Sequence, residues 1–181
     1  HRFLKLPETI GITALALEWT ILTACRTGEA VNGERSEINR ETRVWTIPAR
    51  RMKAKRDHRI PLCDRCMAIL AETDKIGGKW LFPGLSIKKP LSTSAMAECL
   101  KHLAPGVTVH GFRSSFRDWV SEATQFPEWL AEAALAHVIA DKTERAYKRT
   151  DALERRLEMM QAWERYCLDI QAKVVNLRAG R

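Results

Sequence analysis

The 181-residue sequence has no apolar run near the roughly 20 residues needed to cross a bilayer, and no basic-then-apolar leader opens it. Membrane insertion and secretion are therefore not expected. Glycine (9) and proline (7) are scarce, which excludes a collagenous, low-complexity or disordered chain. The five cysteines, Cys25, Cys63, Cys66, Cys99 and Cys167, are odd in number and widely scattered, the opposite of a dense secreted disulfide framework. Reduced thiols in a cytoplasmic setting are expected. Cys63-Asp64-Arg65-Cys66 has no second pair at zinc spacing and reads as a helix start. Gly77-Gly78-Lys79 runs into Trp80 rather than Ser or Thr and lacks the upstream glycine of a P-loop. No three-carboxylate cluster of the kind that holds two divalent ions can be placed.

What the sequence does contain is positive charge. Thirty basic residues against 22 acidic give a net +8 and a pI near 9.5. This points to a polyanion, DNA or RNA before an anionic membrane, because no basic amphipathic segment stands out. With 45% hydrophobic residues, the chain is long enough for one compact domain that buries roughly 70% of its unfolded surface. It opens His1-Arg2-Phe3 and is expected to be a piece of a longer protein.

Periodicity predicts a mainly helical domain with one small antiparallel sheet. Residues 8–24 are apolar nearly all round and predict a central buried helix. Thr27-Gly28-Glu29 opens a short helix. Short runs at Ile38, at Val44-Trp45 with Ile47, and at Arg59-Ile60-Pro61 predict three strands. Helices are expected over about 64–73, 92–102 and 110–122, another after Pro127, and a long one from Asp151. That last helix carries Leu153, Leu157, Met160, Trp163, Cys167, Ile170, Val174 and Leu177 at spacings of three or four.

Four segments could carry chemistry. His110, Arg113 and Arg117 are spaced to share one helix face, read as lying opposite the stripe of Phe112, Phe116, Trp119, Val120 and Ala123. Such a face either grips an anion or is merely solvated, with its arginines paired to Glu122 or Asp118. Arg26 sits where the buried helix ends, so it needs an anion, either Glu29 or a ligand phosphate. The turn before the third strand holds Arg50, Arg51, Lys53, Lys55, Arg56, His58 and Arg59 against one acid, Asp57; backbone phosphate contact is the favoured reading and a solvated turn the alternative. His137 is followed ten positions later by Tyr147, one of only two tyrosines, set among basic residues. A phenol of ordinary pKa near 10 is a poor nucleophile without nearby cations or a proton acceptor.

In this order, Arg26 in Arg-Thr-Gly-Glu, Met52-Lys53, His110-Gly111-Phe112-Arg113, His137 and Tyr147 resemble the catalytic signature of the tyrosine recombinases, the phage integrase family. Ala146-Tyr147-Lys148-Arg149-Thr150-Asp151, His110 to Arg117 and Met52-Lys53 ahead of Ile60-Pro61-Leu62 are similar to the prophage and genomic-island branch. The resemblance covers about residues 8–170. It implies an α+β catalytic-domain fold, mainly helical with a three-stranded antiparallel sheet. It also implies a site-specific recombinase that integrates or excises a prophage or genomic island. Arg26 and Arg113 would clamp the scissile phosphate, with His110 and His137 completing the cage, because guanidinium is permanently charged and forks onto phosphate oxygens. Lys53 would be general acid and Tyr147 nucleophile, forming a 3′ phosphotyrosyl link that needs no metal, ATP or other cofactor. Lys55 is an alternative acid, and which histidine acts as base is left open. Further DNA contacts are expected from Arg50, Arg51, Lys55, Arg56, Arg117 and Arg149.

On the same resemblance, residues 1–181 form a single catalytic domain, the C-terminal part of an integrase whose N-terminal DNA-binding domains are absent. Residues 164–181 are a candidate helix docking in trans. The implied partners are duplex attachment sites, a homotetramer on DNA from a chain that is monomeric in isolation, and excision or bending factors, with no membrane; the implied setting is the bacterial cytoplasm at the nucleoid. Two departures from the pattern are Cys25 ahead of the first arginine and Lys148 after the tyrosine. Two rival readings remain: a fragment that only holds DNA, and supercoil relaxation in the manner of a type IB topoisomerase.

Overall fold

A twelve-residue segment that is apolar on every side can only be stable if every side is covered, and Ile12–Thr23 is: all but its first two residues are buried. In the computed structural model, which describes residues 11–137 and 152–178 and side chains only as far as residue 168, this helix, α1, is the axis of the domain. Seven α-helices and three short strands are present among the described residues. After α1 come α2 (Thr27–Val31), β1 (Ile38–Asn39), β2 (Val44–Ile47) and β3 (His58–Pro61). The helices α3 (Asp64–Asp74), α4 (Ala95–Leu103), α5 (Gly111–Ala123), α6 (Glu128–Ala134) and α7 (Leu153–Arg178) follow. The expected α+β class is what is found. The helix expected from residue 92 begins instead at Ala95, because Ser92 and Ser94 bond to each other in a turn just ahead of it.

α1 packs against α3, α4 and α7. Its one acidic residue, Glu18, is buried 4% exposed and is neutralised by Arg65 of α3, whose Nε and Nη2 reach the two carboxylate oxygens at 2.7 and 2.8 Å. A buried carboxylate without such a fork would cost several kcal/mol. The pair therefore specifies where α3 docks. At the other end of the core, Trp163 of α7 lies 5.4 Å from Phe116 and 5.1 Å from Trp119 between ring centroids. Its indole N–H donates to the Ile21 carbonyl at 2.9 Å, in the last turn of α1. α7 is thus held on its own domain at Trp163.

The sheet is antiparallel with β2 in the centre. Trp45 faces Ile60 and Ile47 faces His58 across the β2–β3 ladder. Trp45, Ile47 and Ile60 are buried, so the period-two alternation that puts them on the core side puts His58 there too, while Arg59 is exposed. Trp19 of α1 meets Trp45 edge-on at 5.5 Å, joining the sheet to the helical core. No helix among the described residues is long and apolar enough to cross a membrane.

Candidate active site

The site lies where α1, α5 and α6 end or begin. α1 stops because Ala24 takes a left-handed conformation (φ 50°), which turns the chain sharply into Cys25 and Arg26. Arg26 is the N-cap of α2. Glu29, three residues on, reaches back so that its carboxylate accepts the Arg26 backbone N–H at 2.7 Å and Arg26 Nη1 at 2.8 Å. The protein carboxylate expected as one partner of Arg26 is in place. It orients the guanidinium while leaving its side chain 32% exposed. Cys25 beside it is buried, and burial with the neighbouring Glu29 charge pushes its thiol up to about 12.

Arg113 corrects one expectation from spacing. It does not lie on a solvated face of α5 opposite the apolar stripe but is buried, 5% exposed. It is seven residues before Val120 and three before Phe116, which places it on the edge of the buried stripe. Its Nη1 donates to the Ala24 carbonyl and its Nη2 to the Leu135 carbonyl at 2.8 Å. One guanidinium therefore ties the end of α1 to the end of α6. Charge-assisted bonds of this type are worth about 1.5–3 kcal/mol each. Burial and the facing Arg26 charge both push the Arg113 pKa down, while Glu29 opposes them. Two guanidiniums that repel each other at a helix junction make a place for an anion.

His137 joins this pair, with Nε2 3.4 Å from Arg113 Nη2. It comes after Ala136, whose left-handed backbone (φ 52°) reverses the chain at the end of α6. His110, at the N-cap of α5, is exposed one turn ahead of Arg113. Arg117 is exposed and forms an ion pair with Glu132 at 2.8 Å rather than with Glu122 or Asp118.

The β2–β3 turn approaches from the other side. Asp57 accepts the Ala49 N–H at 2.8 Å, and Met52 is buried, so the turn is anchored at two points. Lys53, Lys55 and Arg56 are exposed on it. Lys53 lines an open cleft of about 600 Å³ with Arg26, Glu29, Arg50, Arg51 and Trp80, whereas Lys55 is absent from that lining. Arg51 is engaged internally: its Nε donates to Glu37 at 3.1 Å and its Nη1 to the Glu29 carbonyl at 3.2 Å. Of the basic turn, His58 is the other residue turned inward. It is 8% exposed, with Nε2 donating to the Ala134 carbonyl at 3.1 Å. Burial, with Arg156, Arg113 and Arg26 nearby, pulls its pKa down to about 3. A histidine on the core side of a strand, two residues before a buried isoleucine, was the available signal for this. Cys63, at the N-cap of α3, and Cys66 are buried thiols 3.3 Å apart. Tyr147 and Arg149 lie outside the described residues.

An α+β domain with two arginines and a histidine gathered at its helix ends has the architecture of a tyrosine recombinase catalytic domain. Comparison with known proteins agrees. The chain is 38% identical over 150 residues to the prophage integrase IntA of Escherichia coli K12, an alignment covering 80% of this chain and 36% of that protein. It is 34% identical over 166 residues to prophage integrase IntZ of the same strain, covering 88% of this chain and 41% of IntZ. The integrase of Shigella phage Sf6 is 28% identical over 158 residues, covering 84% and 41% respectively. The chain thus spans about two fifths of the length of these relatives. No solved structure matches. The phage integrase family model matches residues 3–154, and the chain belongs to that family.

Proposed function

We propose that this chain is the catalytic part of a site-specific recombinase that cuts and rejoins DNA strands at attachment sites of a prophage or genomic island. The observation that carries the reading is Arg113, a buried guanidinium fixed by two carbonyls, beside Arg26 and His137. A transferring phosphoryl group needs positive donors in place before charge develops on its oxygens, and removing one such donor typically costs about 10² to 10³ in rate. In this scheme Arg26 and Arg113 take the nonbridging oxygens, with His110 and His137 alongside. The Tyr147 hydroxyl attacks phosphorus and passes its proton to His110 or His137. The bond from phosphorus to the 5′ oxygen breaks, and Lys53 protonates that oxygen. The 3′ phosphotyrosyl link conserves the bond energy, so a 5′ hydroxyl reverses the step without ATP or metal. Arg50, Lys55, Arg56 and Arg149 contact flanking phosphates, and Arg51 and Arg117 support that surface through Glu37 and Glu132. The working form is a tetramer on DNA; of residues 164–181, Glu164 and Tyr166 pack on their own domain, against Arg65 and against Trp119 and Trp163, and the part beyond them docks on a neighbouring subunit.

The test is incubation with a nicked suicide duplex in the presence of a chelator. A denaturant-resistant adduct that yields phosphotyrosine and is absent from Tyr147→Phe is expected. Salt-sensitive binding without an adduct, repeated with the full-length protein, would reduce the chain to a DNA clamp.

A further inference from the structure

Leu81 and Phe82 are fully buried, but Trp80 just ahead of them is only half-buried and lines the cleft that holds Arg26 and Lys53. Among the described residues lining that cleft it is the one aromatic side chain, the others being charged or polar apart from Gly28. Its backbone is set against the turn that follows α2. The Leu81 N–H donates to the Gly33 carbonyl at 2.8 Å and the Arg35 N–H to the Lys79 carbonyl at 2.9 Å, which pairs Trp80 with Glu34. A Cβ on Gly33 would come within 2.7 Å of Leu81 Cδ1, so glycine is what lets the two segments lie this close without displacing the Leu81 side chain. The ring is held as well. Its Nε1–H donates to the Lys88 carbonyl at 3.2 Å, and the Lys79 ammonium, paired with Glu34 at 3.0 Å, stands 4.8 Å from the ring centroid. With its N–H already satisfied, what the indole offers the cleft is apolar ring surface. The cations of the cleft suit a phosphate; a fixed flat ring among them suits the other part of a nucleotide, the sugar and base.

We propose that Trp80 contacts the substrate: its indole packs against the sugar and base of the nucleotide flanking the scissile phosphate and holds the strand in register while Arg26 and Lys53 act on the phosphate. The inference rests on the strand-transfer reading and deepens it by adding an uncharged contact to a surface otherwise made of cations. Phosphate contacts draw their strength from counterion release and weaken with salt. Stacking on a ring releases no counterion and tolerates any base, since every base has a π-face. Trp80 therefore supplies affinity and register without reading sequence. Because the ring is already tied down at Lys79 and Lys88, little side-chain freedom is left to lose on binding.

The experiment titrates an intact duplex of the suicide substrate's sequence into the unaltered chain, Trp80→Phe and Trp80→Ala at several salt concentrations. Tryptophan fluorescence and affinity are read together, with thermal unfolding and adduct formation on the nicked duplex alongside. The chain has six tryptophans, so the signal of Trp80 is the difference between the unaltered chain and Trp80→Phe. DNA is expected to quench that difference. Trp80→Ala is expected to lose about 5- to 100-fold in affinity, the range that stacking one base on an aromatic side chain supplies. The slope of log affinity against log salt should stay unchanged, because no charge is removed. Trp80→Phe, which keeps a ring but loses the bond to Lys88, should retain most of the affinity. An unquenched difference signal overturns the proposal, and so does a Trp80→Ala protein that binds like the unaltered chain or loses affinity with a shallower salt slope. Equal losses in Trp80→Phe and Trp80→Ala would also overturn it, reducing the indole to a support for the 83–90 loop. Quenching and the Trp80→Ala loss in a chain that forms no adduct, alone or at full length, would keep the contact and sink strand transfer. Adduct formation with no effect at Trp80 would do the reverse.

Discussion

Two basic regions meet at the cleft that Arg26 and Lys53 line, and they are built in opposite ways. At the helix ends, the Arg113 guanidinium is buried against the carbonyls of Ala24 and Leu135, and Arg26 is held by Glu29. On the β2–β3 turn, Lys53, Lys55 and Arg56 stand exposed, and only the backbone beneath them is pinned, by Asp57 and Met52. Fixed charges in a partly dry setting are preorganised: their desolvation has been met in folding, and they need not reorganise when a phosphate gains charge. Charges on a solvated turn hold little folding energy and are available to settle on a ligand. Stability and chemistry should therefore be coupled in the first region and separable in the second.

Arg113→Ala should show the largest effect, because it strands two buried carbonyls and, in the proposed scheme, removes a phosphate donor. Adduct formation should fall by about 10² to 10³. Thermal unfolding should register a loss of about 1–3 kcal/mol for each orphaned acceptor. Arg113→Lys should rescue little, since an ammonium cannot fork between the ends of α1 and α6. Lys53→Ala should also cost about 10² in adduct formation, yet leave stability within about 0.5 kcal/mol. An equal loss in Lys55→Ala with Lys53→Ala intact would reassign the acid.

His58 sharpens the comparison from between the two regions, since it sits on the turn's strand but belongs to the buried cluster. Its folded pKa, about 3, lies below the ordinary 6.5. The unfolded chain therefore binds a proton that the fold refuses as pH drops below about 6.5. Stability from this group is complete above that pH and is lost at about 1.4 kcal/mol per unit between 6.5 and 3. Urea titrations across this window should show His58→Gln, which keeps an N–H donor for the Ala134 carbonyl, with a shallower acid limb by about one proton. The smallest effect is expected at the rim: Arg56→Ala should weaken binding to any duplex and reduce the slope of log affinity against log salt by about 1.

Much of this was legible in the sequence, and what was not shares one cause. The central helix and the three strands follow from periodicity, whereas the ordered set Arg26, Lys53, His110, Arg113 and His137 came from the resemblance to the phage integrase family. The burial of Arg113 did not, because a charged side chain beside an apolar stripe reads as solvated until its carbonyl acceptors, 89 and 22 residues away in sequence, are known. His58 was hidden in the same way by its basic neighbours. The contact of Glu132 Oε2 with His137 Nδ1, at 2.6 Å, was invisible because it depends on the reversal at Ala136, a local backbone choice that no pattern in Ala133-Ala134-Leu135-Ala136 announces.

The central claim is that the arginine pair is a ready-made cradle for one scissile phosphate. Its most direct test is the yield of covalent adduct on the nicked duplex, at equal DNA occupancy, for the unaltered chain against Arg113→Ala. Adduct from the first and at most a hundredth as much from the second is the predicted result. Equal yields from both would mean that the phosphate is held elsewhere.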